Sequence, residues 1–504
     1  MNRKRVRIVL TVLLFVLVSI SFAGEKVAKD NGIGWDGEAY LSTIQTFSDR
    51  IFSHGYNQYD IQRVLPYGLV NVLFQAFGIK AGALKALWAA GFLSLIALGC
   101  CVLFFFKISS LVKWKTGTEI IAFSSLFYSY PILKTLGYYI LQSDIFGFLM
   151  GIMLLYFFLK KNNVALLLCA VVGSFVWPVV SISALALAFL PSTSLFLDGP
   201  SDRRDSLLWR SLVCILSLLP LMTLVYSILY FHQGIMTPFR VHCPLTTPLN
   251  KYWAIVCCVC SCLYLFLAIK VFRVSITSIW NTMFNKQTYR RWGAFFLSFA
   301  LISFCLRILA NDEQGALTAQ AAALGVVLTS MTDPFVFIES HFIYFGPLVL
   351  LILLTWKNST KFSLSYGVGY MFVLAAGVFF SLRPESRVSV MFLPFLLFPT
   401  INYIDTVSLK NGAIWGYVIL CLVVSRFWFK INVPGMEQYL TWDNYENYTK
   451  FPAQRYFMST GHWQSHEMYL VFMSVMLVLL FILIWGVRKG WYINSQVDEM
   501  VLDY

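Results

Sequence analysis

The chain has 504 residues, of which 59% are hydrophobic and 12% charged, with a mean hydropathy of +0.71. A soluble fold of that length would have too little polar surface to cover itself, so a soluble enzyme is excluded and an integral membrane protein is expected. The net charge of +14 does not point to nucleic acid, because the basic residues flank apolar runs and none interleave with groove-reading or stacking residues.

The apolar runs are rich in Leu, Phe and Ile and lack a two-residue alternation, which predicts helices rather than a barrel. The expected fold is all-α: a polytopic transmembrane helical bundle forming one integral membrane domain over 1-504. The opening stretch MNRKRVRIVLTVLLFVLVSISFAG has the basic head and small-residue end of a cleavable signal peptide. Its near-spanning length, with no soluble domain after it, favours a retained first helix. Residues 24-81 form the first outer loop, in which RVLPYGLVNVLFQAFGIK, interrupted by Pro66 and Gly78, reads as an interfacial helix.

Spans are expected near 82-106, 118-135, 144-159, 164-178, 179-194, 208-231, 252-273, 294-310, 340-356, 365-382, 388-404, 412-429 and 467-487. With the first helix this makes about thirteen to fourteen, the pair over 164-194 being short enough to be re-entrant. Threading them from a cytoplasmic N-terminus puts NRKRVR, KISSLVKWK, KKNN, SDRRDSLLWR, NKQTYRR, WKNSTK and VRKGW on the inner side, as the positive-inside rule requires. The same threading places His54, His232, His242, His341, His462 and His466 at or beyond the outer surface, which marks that face as the chemically equipped one. Two more outer loops are long: 311-339, with Asp312, Glu313, Asp333 and Glu339, and 430-466, rich in Tyr and Trp and carrying a glycosylation sequon at Asn447. Residues 488-504 form a short cytoplasmic tail. The eleven cysteines fall mostly inside apolar runs, with Cys243 alone in a loop, so neither a disulfide framework nor a zinc spacing is read.

The polar stretch GWDGEAYLSTIQTF places Asp36 and Glu38 two residues apart, with Tyr40 behind them. In a loop or extended segment both carboxylates face one point, which suits a divalent cation, magnesium or manganese, or a division of general-base and supporting roles. The plainer alternative is that a loop needs polar residues and some acids fall near any span.

The stretch from WDGEAY through IQRVLPYGLVNVLFQAFGIK resembles, in order and spacing, the start of the GT-C superfamily of membrane glycosyltransferases, which includes protein O-mannosyltransferases and lipid A aminoarabinose transferases. Asp36, Tyr40, Pro66 and Phe77-Gly78 fall where that family has its acidic pair, a following Tyr and a proline-bearing interfacial helix. LGYYILQSDIFGFLMGIMLLYFFLKKNN resembles the family's second short outer loop and fourth span, with Asp144 as the acid that starts the helix. SLRPESRVSVMFLPFLLF resembles its late motif, contributing Arg383, Glu385 and Arg387. The likeness covers about the first 195 residues and then 383-396. Departures are the separated acids Asp36-Gly37-Glu38, Leu65-Pro66 in place of a Pro-Pro pair, and a short tail in place of a soluble domain.

The resemblance implies a polyprenyl-phosphate-linked sugar donor reached from the outer leaflet, and a lipid, glycan or protein acceptor. Arg387 or Arg383 would hold the donor phosphate and Asp36 would be the general base. Glu38 and Asp144 would support Asp36 or bind a metal, with His54 and His341 as further candidates. Arg63, beside the interfacial helix, either holds phosphate or snorkels to head groups. Neither GxGxxG nor GxxxxGK[ST] is present, and the cytoplasmic loops are too short for a nucleotide-binding domain, which disfavours a nucleotide-sugar donor. The alternatives are a transporter or flippase of lipid-linked saccharides and an outer-face polysaccharide polymerase or ligase. A transporter should carry ionisable or broken helices at the midplane, whereas the charges here gather at the outer rim. The expected location is a bacterial inner membrane, or the endoplasmic reticulum as its eukaryotic equivalent.

Overall fold

A computed structural model describes residues 2–195, 203–231, 235–236, 239, 248–272, 274, 276–284, 286–311, 319–432, 466–488 and 492–493. His232, His242, His462, Cys243, Asp312, Glu313, Asn447, nearly all of the expected loop 430-466 and most of the tail 488-504 lie outside the described residues.

The described residues form an all-α bundle. α1 (Arg3–Ala23) is capped by the Asn2 side chain, which accepts from the Lys4 N–H. α2 (Trp35–Phe52) and α3 (Leu65–Ala76) follow and pack on one another. Pro66 stands in the first turn of α3, where its missing N–H is no loss. α4 (Ala83–Val112) packs most extensively on α7 (Asp144–Leu159); between them lie α5 (Thr116–Phe127), a π-helical turn over Pro131–Thr135 and the single turn α6 (Leu136–Tyr138). α8 (Asn163–Gly173) and α9 (Val180–Phe189) form a short packed pair. The second half contains α10 (Arg203–Ser217), α11 (Leu219–Phe231), α12 (Lys251–Lys270), α13 (Ile276–Met283), α14 (Lys286–Leu309), α15 (Ala319–Thr329), α16 (Val336–Phe345), α17 (Leu348–Ser365), α18 (Gly367–Phe380), α19 (Leu393–Thr406), α20 (Asn411–Val424) and α21 (His466–Arg488). Ser408–Leu409 and Tyr492–Ile493 add a two-residue antiparallel ladder, Ser408 opposite Ile493.

Among the described residues five helices are long and apolar enough to cross a membrane: α1, α4, α12, Thr288–Leu309 of α14 and His466–Gly486 of α21. Two of the expected spans are broken. The one drawn over 208-231 bends by 42° between α10 and α11, where Pro220 sits in the first turn of the second helix. The one drawn over 340-356 bends by 117° between α16 and α17, at Gly346, whose φ is +76°, and Pro347. Counting each bent pair once gives seven. α7, α8, α9, α18 and α20 are apolar but have only 10–17 residues, short of the roughly 20 that cross a bilayer core. Large apolar side chains stand exposed, among them Trp88 at 69%, Phe92 at 67% and Phe481 at 69%, a surface that suits lipid better than water.

Two polar clusters pin α1 at its ends. Near its start the fully buried Glu119 receives Arg3 Nε at 2.9 Å and Arg7 Nε at 2.8 Å, with Ser109 completing the set. Beyond its other end Glu25 accepts from Lys134 Nζ at 2.7 Å and from the backbone N–H groups of Ile431 and Asn432 at 2.6 and 3.0 Å. Close approach of α7 to the segment before α19 needs Gly151, where a Cβ would fall 2.2 Å from the Met391 carbonyl oxygen. This contact lets Arg387, four residues earlier in the chain, lie beside the start of α7.

Candidate active site

Gly34 caps the start of α2, and its φ of +73° and ψ of −175° are backbone angles that an L side chain does not adopt without strain. Tyr139 fills the space below, and its hydroxyl accepts from the Gly37 N–H at 3.2 Å. Asp36 and Glu38 therefore lie in the first turn of a helix, not in a loop or an extended strand. Residues two apart on a helix point to different sides, so the two carboxylates separate. Asp36 turns to Arg387 and Glu38 to Lys29, whose Nζ is 2.7 Å from Glu38 Oε1 and also pairs with Asp30. The expected convergence of Asp36 and Glu38 on one metal or one proton is not seen. Among the described residues no three His, Cys, Asp or Glu side chains form a group that could hold a metal ion.

Arg387 is the centre of the arrangement. It lies in the 3-10 turn Ser386–Ser389, with 15% of its side chain exposed. Its Nη1 is 2.7 Å from Asp36 Oδ2, and its Nε donates to Asp144 Oδ1 at 3.3 Å. Asp144 Oδ2 accepts from the Tyr344 hydroxyl at 3.0 Å. The two carboxylates differ in setting: the Asp36 side chain is 44% exposed and that of Asp144 8%. Burial works against the charged guanidinium of Arg387, but Asp144, Asp36 and Glu385 outweigh it and hold its pKa well above the usual arginine value.

An aromatic wall closes one side. Tyr40 stacks on Tyr67 with ring centroids 4.5 Å apart, and Tyr67 meets Phe146 edge-on at 6.1 Å. The Tyr40 hydroxyl shares a 2.9 Å hydrogen bond with Ser143, and burial raises its pKa to about 12, so it stays a neutral hydroxyl at physiological pH. The buried Tyr67 hydroxyl makes no hydrogen bond. Arg63 lies between the Tyr59 and Trp177 rings, its guanidinium carbon 4.1 and 5.3 Å from their centroids. Its Nη1 donates to the Tyr59 hydroxyl, while its buried Nε has no partner. Burial disfavours its charge, yet Tyr40, Tyr59 and Asp36 outweigh it and raise its pKa. The Trp177 ring that it touches lies against Gly147, three residues along α7 from Asp144.

The remaining expected residues make contacts of their own. Arg383 pairs with Glu385 two residues on, and so already has a carboxylate of its own. His341 uses both ring nitrogens, one with Ser386 Oγ at 2.9 Å and the other with the Ser381 carbonyl at 2.8 Å, and thereby fixes the turn that carries Arg387. His54 is exposed in the turn after α2, with φ +53°. At 1.5 Å per residue it lies roughly 25 Å from Asp36 along that helix. Tyr139, Ser143, Tyr67 and Tyr344 were not among the expected residues. Ser143 and Tyr139 do flank Asp144 in the GYYILQSD stretch, but Tyr344 arrives from 200 residues away.

The set offers a guanidinium fixed by a buried carboxylate, a second guanidinium with an unfilled N–H, and a half-exposed carboxylate able to accept a proton. Such a site can receive an anion and deprotonate a hydroxyl. No family model, no curated protein and no solved structure matches the chain.

Proposed function

We propose that the chain is a multi-pass membrane glycosyltransferase of GT-C type, moving a sugar from a polyprenyl-phosphate-linked donor to a lipid, glycan or protein acceptor at the outer face of a bacterial inner membrane. The observation that carries this reading is the bridge made by Arg387 between Asp36 and Asp144. These residues come from the three separate stretches whose order and spacing resemble that superfamily, and they meet at one point.

In this reading Asp36 takes the proton of the acceptor hydroxyl as its oxygen bonds to the anomeric carbon. The bond from that carbon to the phosphate oxygen breaks, its electron pair stays with the polyprenyl phosphate, and the added negative charge falls on Arg387 and Arg63. Arginine suits that role through its planar, always charged fork. Asp144 and Tyr344 hold Arg387 in place.

The test is the glycolipid and glycan profile of a deletion strain complemented with wild type or Asp36→Asn, at matched membrane levels. Loss of one sugar restored only by wild type supports the reading, and loss of a general base should slow transfer by roughly 10²–10⁴-fold. Full rescue by Asp36→Asn would refute it. The paired guanidiniums of Arg387 and Arg63 also suit an outer-face polymerase or ligase with the same donor chemistry. In that case Arg387→Ala abolishes activity while Asp36→Asn retains it.

A further inference from the structure

Arg387 Nη1 cannot serve a donor phosphate while it holds Asp36 Oδ2 at 2.7 Å, and the Asp36 carboxylate cannot turn to an acceptor hydroxyl while it is held there. Resting on the function proposed above, we propose that the Asp36–Arg387 contact is a latch that the donor phosphate opens: the phosphate displaces Asp36 from Arg387 and so frees the base only when the donor is in place.

The asymmetry of the two carboxylates says which would leave. Asp144 is nearly buried, is held by Tyr344, and receives Nε. Asp36 is 44% exposed, stands in the first turn of a helix capped by Gly34, and holds Arg387 through Nη1. An arriving phosphate therefore finds Arg387 anchored from behind and exchangeable in front. It also finds the unfilled Nε of Arg63 and the unbonded hydroxyl of Tyr67 nearby, both buried donors that an oxyanion would satisfy. Once released, Asp36 faces the acceptor. After transfer it carries the acceptor proton, and when the lipid phosphate departs, Arg387 again favours the ionised carboxylate, sending that proton to water and closing the latch. Donor binding would then precede acceptor activation.

The experiment uses the full chain in detergent and measures the affinity of farnesyl monophosphate, a short lipid phosphate. If Asp36 competes with phosphate for Arg387, Asp36→Asn binds the probe about tenfold tighter than wild type, a difference of about 1.4 kcal/mol. Asp36→Ser gives the same sign. Glu38→Gln, which removes a charge two residues away that faces Lys29, changes affinity by less than about twofold, because an exposed charge off the binding surface is screened. Arg387→Ala loses binding. Unchanged or weaker binding in Asp36→Asn and Asp36→Ser, with Arg387→Ala still abolishing it, overturns the latch and leaves the donor site standing. No binding in wild type or in either Asp36 variant overturns the latch and the donor-site reading together.

Discussion

Gly34→Ala should destabilise the protein by two separable effects that meet at one atom. The first is backbone strain, since φ +73° with ψ −175° is a region held almost only by glycine and costs about 1–3 kcal/mol for another residue. The second is steric. The new Cβ would fall 2.3 Å from Tyr139 Cε2, 2.6 Å from Cζ and 2.9 Å from the hydroxyl oxygen. Tyr139 cannot swing away freely, being only 9% exposed and bonded to the Gly37 N–H. Overpacking of this kind adds about 1–3 kcal/mol, for a total of about 2–6 kcal/mol. The assay is an SDS unfolding titration in mixed micelles of wild type, Gly34→Ala, Tyr139→Ala and the double variant. In the Tyr139→Ala background all three crowding atoms are gone, so Gly34→Ala should cost only the strain, about 1–3 kcal/mol. A Gly34→Ala protein within about 0.5 kcal/mol of wild type, the range of an inert surface change, would refute both parts. Equal cost in the two backgrounds would refute the steric part alone.

Tyr344→Phe removes one hydrogen bond to the buried Asp144 carboxylate and should cost about 1.5–3 kcal/mol in the same titration, with no change expected from Tyr59→Phe on Asp144. Glu119→Gln leaves Arg3 and Arg7, a third and a quarter exposed, facing a neutral amide; it should lower stability by about 1–3 kcal/mol, and proteolysis near the start of α1 should accelerate. The Lys29 side chain joins Asp30 and Glu38 in a contact with a defined pH window. Its hydrogen bond holds the Asp30 carboxyl below the usual 3.8. Partial burial opposes the charge on Lys29, but Asp30 and Glu38 outweigh it and raise its ammonium above 10.5. The stabilisation from Asp30 is thus full above pH 3.8 and lost as pH falls through its lowered folded value; that from Lys29 is full below pH 10.5 and lost as pH rises through its raised folded value. Because both acids are about half exposed, Lys29→Gln should be weaker than wild type by only a few tenths of a kcal/mol inside that window, and should match it at about 1 M salt. A gap that persists in high salt would contradict an ionic origin.

The helical class and many segment positions were legible because apolar runs of helical length have few other solutions. Asp144–Leu159, for instance, is both the expected segment and the observed helix. The breaks at 217–219 and 345–348 were not drawn, although Pro220 and Gly346-Pro347 mark them, because hydropathy alone runs smoothly across them. Of the candidate site, Asp36, Asp144 and Arg387 could be picked out by motif order, and Arg63 and Tyr40 by position. The expected pairing of Asp36 with Glu38 fails because α2 begins before them, and helix geometry sends them apart. Tyr344 and Tyr67 were hidden for a different reason. In a chain with 26 tyrosines, one that bonds a carboxylate 200 residues away has the same local signature as one that merely lines a lipid interface.

The Glu25 cluster also bears on biogenesis. The carboxylate that fastens the loop after α1 binds backbone groups 406 and 407 residues downstream. At a synthesis rate of about 5–20 residues per second, those partners leave the ribosome roughly 20–80 s after Glu25 does. Through most of that interval the loop leading into Asp36 is tied only to the segment around Lys134, by the Glu25 pair and the Val27 N–H on the Tyr138 carbonyl. A nascent chain stalled before residue 431 would therefore present a Glu25 carboxylate held by Lys134 but lacking its two backbone partners, and the cell could recognise the incomplete protein there.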